Sequence, residues 1–470
     1  MTPKDPGKLT DHISLGALTR IVPRYIVDEV LAETNRREQR SRTLPAHLVV
    51  YFVLALSLFT DGYEEVIRKL VNGLRFARVW SRDWTVPTTA ALSRARTRLG
   101  EAPLRALYET VAQPLAKPGT PGAWLGEWPV MAIDGVMIDM PDTAENRAEY
   151  GNSADDDTVR PFPQIRAVGL AEVGTHAVVA VALGSIYQGE RELTQALADQ
   201  LEEDMLLTAD RGFYSFELFR ELMATGAALL WRVSLTVILP VLKTLPDGSY
   251  LSEIVAPSRK HAKTRIDADK VADIRLATHI PVRVVEYRVH TEQGTSDTFR
   301  LITTILDFEQ AGAAELAGAY HERWEQESAF REIEIYLRAG KGIRSKKPEL
   351  VRQEIYGLFL AHYAIRAFMV EAADTVDMDP DRISFTRTLN IVRRRITDPA
   401  VFSPSGKRTR RKRDIAEALE RINKRRSRSY PRVSKKANRH TFPTKKHQHR
   451  QQQYNPVVTI IAAQVAVQVA

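Results

Sequence analysis

Along this chain the spacing of apolar residues changes several times, and each change predicts a different kind of structure. From residue 10 to about 117 the spacing is helical: Leu48, Val49, Phe52, Leu56 and Phe59 fall on one face, and no alternating strand pattern competes. Within this stretch Tyr63–Val71 and Thr88–Leu99 predict two helices around a loop over Trp80–Pro87. The second would start after Pro87 and display Arg94, Arg96 and Arg98. Such a pair is compatible with a helix-turn-helix reader of DNA that uses Arg94 and Arg98, although helix pairs are also common where nothing is read.

From Trp128 the apolar runs shorten and turn residues bound them. Val130–Asp134 predicts a buried strand, and Gln164–Glu172 with His176–Leu183 a hairpin through Val173-Gly174-Thr175. Glu192–Leu201 predicts a helix, Met205–Asp210 a strand, Ser215–Thr225 a helix ending at Gly226, and Ala228–Ser234 a further strand. Three sequential antiparallel strands followed by alternating helices and strands make a mixed α/β sheet, in the order of the ribonuclease H-like fold. Residues 235–307 interrupt this order with Val- and Thr-rich segments such as Val282–His290 and Thr298–Leu306, separated by turns at Asp247-Gly248 and Gln293-Gly294. That is a β-rich insertion. A long helix is expected from Gln310 to Leu337 and another from Glu349 to about Ala372. Beyond Asp379-Pro380 the chain becomes basic, broken by Pro404, Gly406, Pro431 and Pro443. Val457–Ala470 is apolar but too short to span a bilayer, so strand, helix and disorder stay open there. The expected organisation is a helical N-terminal domain over 1–120, an α/β core over 121–234 and 308–375, the insertion over 235–307, and a basic C-terminal segment over 376–470.

Composition narrows the chemistry. The absence of cysteine excludes disulfides, thiol catalysis and cysteine-ligated zinc. The N-terminus lacks the basic stretch, apolar core and cleavage site of a signal peptide, and no apolar run reaches the ~18 residues a membrane span needs. The expectation is a soluble cytoplasmic, nucleoid-associated protein with no membrane partner. Net charge is +9, but residues 393–450 hold 21 Lys and Arg against 4 Asp and Glu, leaving 46 against 54 for the rest. A basic block on a mildly acidic body suits a polyanion, because each neutralised phosphate releases counterions. Its dense runs are Arg393-Arg394-Arg395, Lys407–Arg413 with Arg410, Arg411, Lys412 and Arg413, and Lys424–Arg428. They are expected on backbone phosphates, where they add affinity without sequence choice; the alternative is a solvated tail.

Three carboxylates carry the candidate chemistry. Asp134 ends the apolar run Met131-Ala132-Ile133-Asp134-Gly135, and Asp210 repeats the arrangement in Leu206-Leu207-Thr208-Ala209-Asp210. A lone strand-end Asp before Gly is commonly a turn former, but two on one sheet could share a hard cation through oxygen ligands. On the expected long helix, Tyr320, Arg323, Trp324, Glu327, Arg331 and Glu334 share a face at ~100° per residue, while Glu322, Glu325 and Glu332 point away. The competing reading is an amphipathic helix with a Glu327–Arg331 ion pair. Trp231 and Trp324 offer stacking faces, though a core position suits each better.

These residues resemble the bacterial transposases of the insertion-sequence-4 family, DDE enzymes with a Tyr-x2-Arg-x3-Glu-x6-Lys signature. Tyr320, Arg323 and Glu327 match its first three positions. Asp134-Gly135, Thr208–Ser215 and Arg344–Glu354 are similar to the neighbouring motifs in the same order. The lysine position holds Glu334, which reverses the local charge; Arg331 could substitute, or the copy could be decayed. The resemblance implies a DNA transposase that cleaves and joins element ends using two Mg2+ ions, with Mn2+ possible, held by Asp134, Asp210 and Glu327. It implies Tyr320, Arg323 and Arg331 on the terminal phosphate, a hairpin intermediate with a flipped base, double-stranded DNA as partner at both ends and target, and a homodimer on DNA. An inactive remnant that only binds DNA, and a ribonuclease H-type nuclease, are the competing readings.

Overall fold

A computed structural model describes residues 18, 20–38, 44–72, 85–152, 154–155, 158–159, 162–256, 278–291, 294–295, 298–397, 407–422 and 457–462. The chain forms two compact units. One comprises 1–208, 225–227 and 322–422, the other 209–224, 228–321 and 423–470. The architecture is mixed α/β, with a helical N-terminal region. Lys424–Arg428 and part of the 80–87 loop lie outside the described residues.

The first unit opens with α1 (Arg24–Glu33), α2 (Ala46–Leu58), α3 (Tyr63–Asn72), α4 (Thr89–Leu99) and α5 (Ala102–Val111). The two helices expected near 63–71 and 88–99 are present, the second started by Thr88, whose hydroxyl accepts from the Ala91 amide at 3.3 Å. The single apolar face expected around Leu48–Phe59 is corrected: all of α2 is buried, its polar residues included. A helix surrounded by packing partners carries no amphipathic pattern. Arg96, expected on display, is also buried, because it shares the inner side of α4 with Leu92, Ala95 and Leu99. Its guanidinium donates to Gln353 Oε1 at 2.8 Å, Ser345 Oγ at 2.9 Å and the Leu350 carbonyl at 3.0 Å.

Next come β1 (Trp124–Leu125), β2 (Trp128–Asp139), α6 (Ala144–Tyr150), β3 (Ala154–Asp155), β4 (Thr158–Val159), β5 (Gln164–Glu172), β6 (Val178–Gly184), α7 (Glu190–Gln195) and β7 (Leu206–Ala209). The sheet order in this unit is β6-β5-β2-β7, and β2·β5 and β5·β6 are antiparallel. The expected hairpin is therefore found, with its turn over Val173–Ala177. The helix expected over 192–201 is shorter, ending at Gln195 and followed by a 3-10 turn at Ala198–Gln200. β2 runs on to Asp139 instead of ending at Asp134; what changes at Asp134 is burial, which drops from full to partial.

In the second unit, α8 (Phe216–Met223) starts from Ser215, whose hydroxyl accepts from the Leu218 amide at 3.2 Å. β8 (Ala228–Arg232), β9 (Lys243–Thr244), β10 (Tyr250–Val255), β11 (His279–Thr291), β12 (Gly294–Thr295) and β13 (Phe299–Thr303) follow, in the order β8-β13-β11-β10-β9. Residues 235–307 thus contribute strands β9–β13, and β14 (Val457–Ile460) adds to β11, making this part of the C-terminal stretch a strand. Arg283, fully buried, ties the Asp247-Gly248 turn to α9 (Ala313–Glu322): it donates to Ser249 Oγ at 2.8 Å and the Ala311 carbonyl at 2.7 Å, and pairs with Asp247.

The remaining helices are α10 (Trp324–Arg331), α11 (Pro348–Asp374), α12 (Phe385–Thr397) and α13 (Lys407–Leu419). The continuous helix expected over 310–337 is corrected. α9 ends at Glu322, α10 begins at Trp324, and a π-helical segment, Glu332–Leu337, succeeds it. α11 packs closely on α2 at Gly357, where a Cβ would stand 2.8 Å from Val53 Cγ1. The Arg344–Glu354 motif is a clasp within this unit. Arg344 donates to the Phe59 carbonyl at 2.5 Å, Arg352 pairs with Glu101 at 2.5 Å, and Asn146 reaches the Ser345 carbonyl at 3.3 Å. Among the described residues no single helix is long and apolar enough to cross a membrane.

Candidate active site

Asp134 sits where β2 emerges from the core, and its Cα register partner on β5 is Gly169. Paired residues of neighbouring strands point to the same face, so a glycine opposite Asp134 leaves that face open. α10 uses the opening: Phe330 Cζ lies 3.1 Å from where a Cβ on Gly169 would stand. Glu327 is three residues earlier on the same helix. Arg323, just before α10 and nearly fully buried, brings Nη1 to 3.9 Å from Asp134 Oδ2. Asp134 and the Arg323–Glu327 segment, far apart in sequence, therefore converge within the first unit.

Electrostatics at Asp134 follow from this packing. Burial pushes its carboxyl up from the ordinary value to about 6, Glu327 and Glu190 push the same way, and the Gly135 amide with Arg323 opposes them. The Gly135 amide donates to Asp134 Oδ1 at 2.9 Å. An acid held this reluctantly ionised gains from a cation placed against it. Glu190 was not singled out from the sequence. It opens α7 and lies where a Cβ on Gly135 would collide with its carboxylate. Successive strand residues face opposite sides, so Glu190 adjoins the backbone next to Asp134 from the other side of the sheet. The available signal was Gly135 and Gly169, glycines inside strands, which mark close approach.

Asp210 directly follows β7, the sheet neighbour of β2. Just before it, Thr208 donates its hydroxyl to the Met131 carbonyl at 2.9 Å. Within the second unit, the Tyr320 hydroxyl donates to Asp210 Oδ1 at 3.1 Å, and Arg232 Nη1 stands 3.8 Å from the same oxygen. Arg232 also lies over the Phe299 ring, 4.4 Å from its centroid. Tyr320, expected on a phosphate, is buried and engaged with an acid here. Among the described residues, no three His, Cys, Asp or Glu side chains are grouped so as to hold a metal ion as they stand. Carboxylate oxygens are nonetheless the donors a hard cation takes, and burial leaves Asp134 favouring a charge partner.

The other expected site residues fall in several environments. Arg331 is exposed, and Glu334 lies in the π segment within electrostatic reach of Arg338. Glu332, expected to point away from the Glu327 face, is buried against Arg366 and His362 of α11. Arg94 and Arg98 are exposed, the latter also donating to the Leu44 carbonyl at 2.9 Å. Arg393 donates to the Leu58 carbonyl at 2.6 Å, Arg394 pairs with Glu417, and Arg395 pairs with Asp414 at 2.5 Å. These contacts link α12 to α2 and α13. Arg410 lies on α13, where Arg411 adjoins Glu371 and Lys412 and Arg413 are exposed. Trp231 is a core residue, edge-on to Phe219 at 5.3 Å between centroids.

Comparison with known proteins bears on this geometry. Residues 127–364 match the family model for the transposase DDE domain, and residues 12–109 match that for the insertion element 4 transposase N-terminal domain. The chain is 29% identical over 417 residues to transposase InsG for insertion sequence element IS4 of Escherichia coli K12, covering 87% of this chain and 89% of that one. It is 28% identical over 213 residues to putative transposase InsZ of the same organism, covering 45% and 68%. Among solved structures, a piggyBac transposase synaptic complex with hairpin DNA aligns over 90% of this chain and 87% of its own, with 11% identity and a TM-score of 0.42.

Proposed function

The chain belongs to the DDE-domain transposases, DNA-cleaving and strand-transfer enzymes that use divalent metal ions, and from that premise we propose that Asp134, Asp210 and Glu327 are its catalytic acids. The observation that carries the proposal is the convergence of Arg323 and Glu327 on Asp134. The strand order β6-β5-β2-β7, with an acid on β2, a second after β7 and a third on a later helix, supports a ribonuclease H-like core.

The three acids would hold two Mg2+ ions, or Mn2+ in their place. Bound divalent metal supplies Lewis acidity at the scissile phosphate, easing deprotonation of the attacking hydroxyl and departure of the leaving oxygen. The side chains do the positioning. Asp134 gives up its proton less readily than an ordinary carboxyl, and a bound cation would favour its ionised form. Arg323 balances charge at Asp134, and Tyr320 orients Asp210 through its hydroxyl. On binding an element end, Tyr320, Arg323 and exposed Arg331 would turn to the terminal phosphate, and no covalent enzyme intermediate is needed.

The substrate is double-stranded DNA at the element's terminal inverted repeats, cut and pasted into a target by a homodimer that pairs both ends. Exposed Arg94, Arg98, Lys412 and Arg413 would contact backbone phosphates. Cleavage of a labelled end duplex with Mg2+ tests the proposal: wild type should cut, and Asp134→Ala should not. Equal cutting by both proteins would refute the assignment.

A further inference from the structure

We propose that Glu332 and Arg366 are positioning residues that hold Glu327 in its working place, an inference that rests on the assignment of Glu327 as a catalytic acid. Glu332 begins the π segment directly after α10, five residues beyond Glu327, and is buried. Arg366 of α11 meets it with two nitrogens, Nε donating to Oε2 at 2.9 Å and Nη2 to Oε1. His362, one turn earlier on α11, places Nε2 3.0 Å from the same Oε2. The set extends to His176 in the β5–β6 turn, which contacts Arg366 and brings Nε2 to 2.9 Å from Asp381 Oδ1.

Two properties point to positioning over bulk stability. A buried ion pair rarely stabilises more than apolar residues of similar volume, because desolvation offsets the attraction; its distinctive property is fixed geometry. A two-nitrogen fork on one carboxylate defines both distance and direction. The location is equally specific. Phe330 seated on Gly169 and Glu332 clamped by Arg366 fix two points at the C-terminal end of α10, and the short helix carries Glu327 from them toward Asp134. The clamp also joins α10 to α11 and to the turn of the hairpin that includes Gly169. Displacement of a catalytic group by about 1 Å can cost about 100-fold in rate.

The experiment compares wild type, Glu332→Gln, Arg366→Lys and Glu327→Gln. It measures melting temperature, end-DNA affinity, strand-transfer rate on a pre-cut end, and Mn2+ binding by titration calorimetry without DNA. For Glu332→Gln we expect a folded protein with unchanged DNA affinity, a rate about 100-fold lower and weaker Mn2+ binding. Arg366→Lys keeps the charge and loses the fork, and should show a smaller loss of the same kind. Wild-type rate and Mn2+ affinity in Glu332→Gln, or a rate loss no larger than its loss of DNA affinity, would overturn the inference. If Glu332→Gln does not fold, Arg366→Lys decides by the same criteria. Wild-type activity in Glu327→Gln would instead sink the catalytic assignment itself.

Discussion

The ring of Phe330 occupies the space above Gly169 that any other residue would fill with its own Cβ, and Gly169 is the register partner of Asp134. The same position is tight on a second side, where Val178 Cγ1 is 3.2 Å from that Cβ site. Gly169→Ala is therefore expected to lower stability by about 1–3 kcal/mol through overpacking and to reduce strand transfer further than stability alone explains. Denaturant titration alongside kinetics on a pre-cut end checks both. A variant with wild-type rate would mean that α10 does not depend on this seat.

Asp134 sets a pH dependence for metal binding. Its folded carboxyl titrates near 6, above its ordinary value, so between roughly pH 4 and 6 the metal-free folded protein holds a proton the unfolded chain has lost. Stability from this group consequently falls as pH rises through that window, since the unfolded state binds fewer protons there. Metal must displace the proton, so affinity should be flat above about pH 6.5 and weaken about tenfold per unit well below 6. Calorimetric Mn2+ titrations from pH 5 to 8 test this, and a flat profile would exclude Asp134 as a ligand.

Removing one partner of the Glu332 clamp should be costly. The carboxylate is held well below its usual range despite burial that pushes the other way, because Arg366 and the two histidines outweigh it. Glu332→Ala removes the two-nitrogen partner of buried Arg366, leaving only Asp381 at 3.8 Å, and should destabilise by about 3 kcal/mol. Glu332→Met combined with Arg366→Met should recover much of that stability without recovering rate. Chemical denaturation and strand-transfer kinetics on both proteins separate the two effects.

Arg94 and Arg96 lie on the same helix yet should respond oppositely. Arg94→Ala, on the exposed side, is expected to leave the melting temperature unchanged and reduce the salt slope of end-DNA binding by about 1. Arg96→Ala strips hydrogen bonds from buried Gln353, Ser345 and Leu350 and should cost roughly 3 kcal/mol. Melting curves and binding isotherms at several salt concentrations check the pair. An unaltered salt slope in Arg94→Ala would remove it from the DNA interface.

Much of the fold was legible because local signals agreed with tertiary demand. β5 was expected over Gln164–Glu172 and occupies those residues, and the caps Thr88 and Ser215 start helices where hydroxyls precede apolar periodicity. Asp134 and Glu327 were legible as acids, but as partners only through the family resemblance, since nothing local brings them together. The misses share one cause. Arg96 and Glu332 are charged residues whose burial is decided by distant partners, and the all-round burial of α2 is also set by what packs around it. Likewise, the interruption at Arg323 carries neither proline nor glycine to announce it.

The π segment over Glu332–Leu337 also governs how this region can change in length. A π turn contains one residue more than an α turn, so deleting a single solvent-facing position there, Ile335 being the most exposed apolar candidate, would tighten the coil while α10 before it keeps its faces and the turn after it takes up the change. Elsewhere in a helix such a deletion would swing every later side chain by about 100°. Natural relatives are accordingly expected to differ by one residue here more readily than anywhere between Trp324 and Arg331.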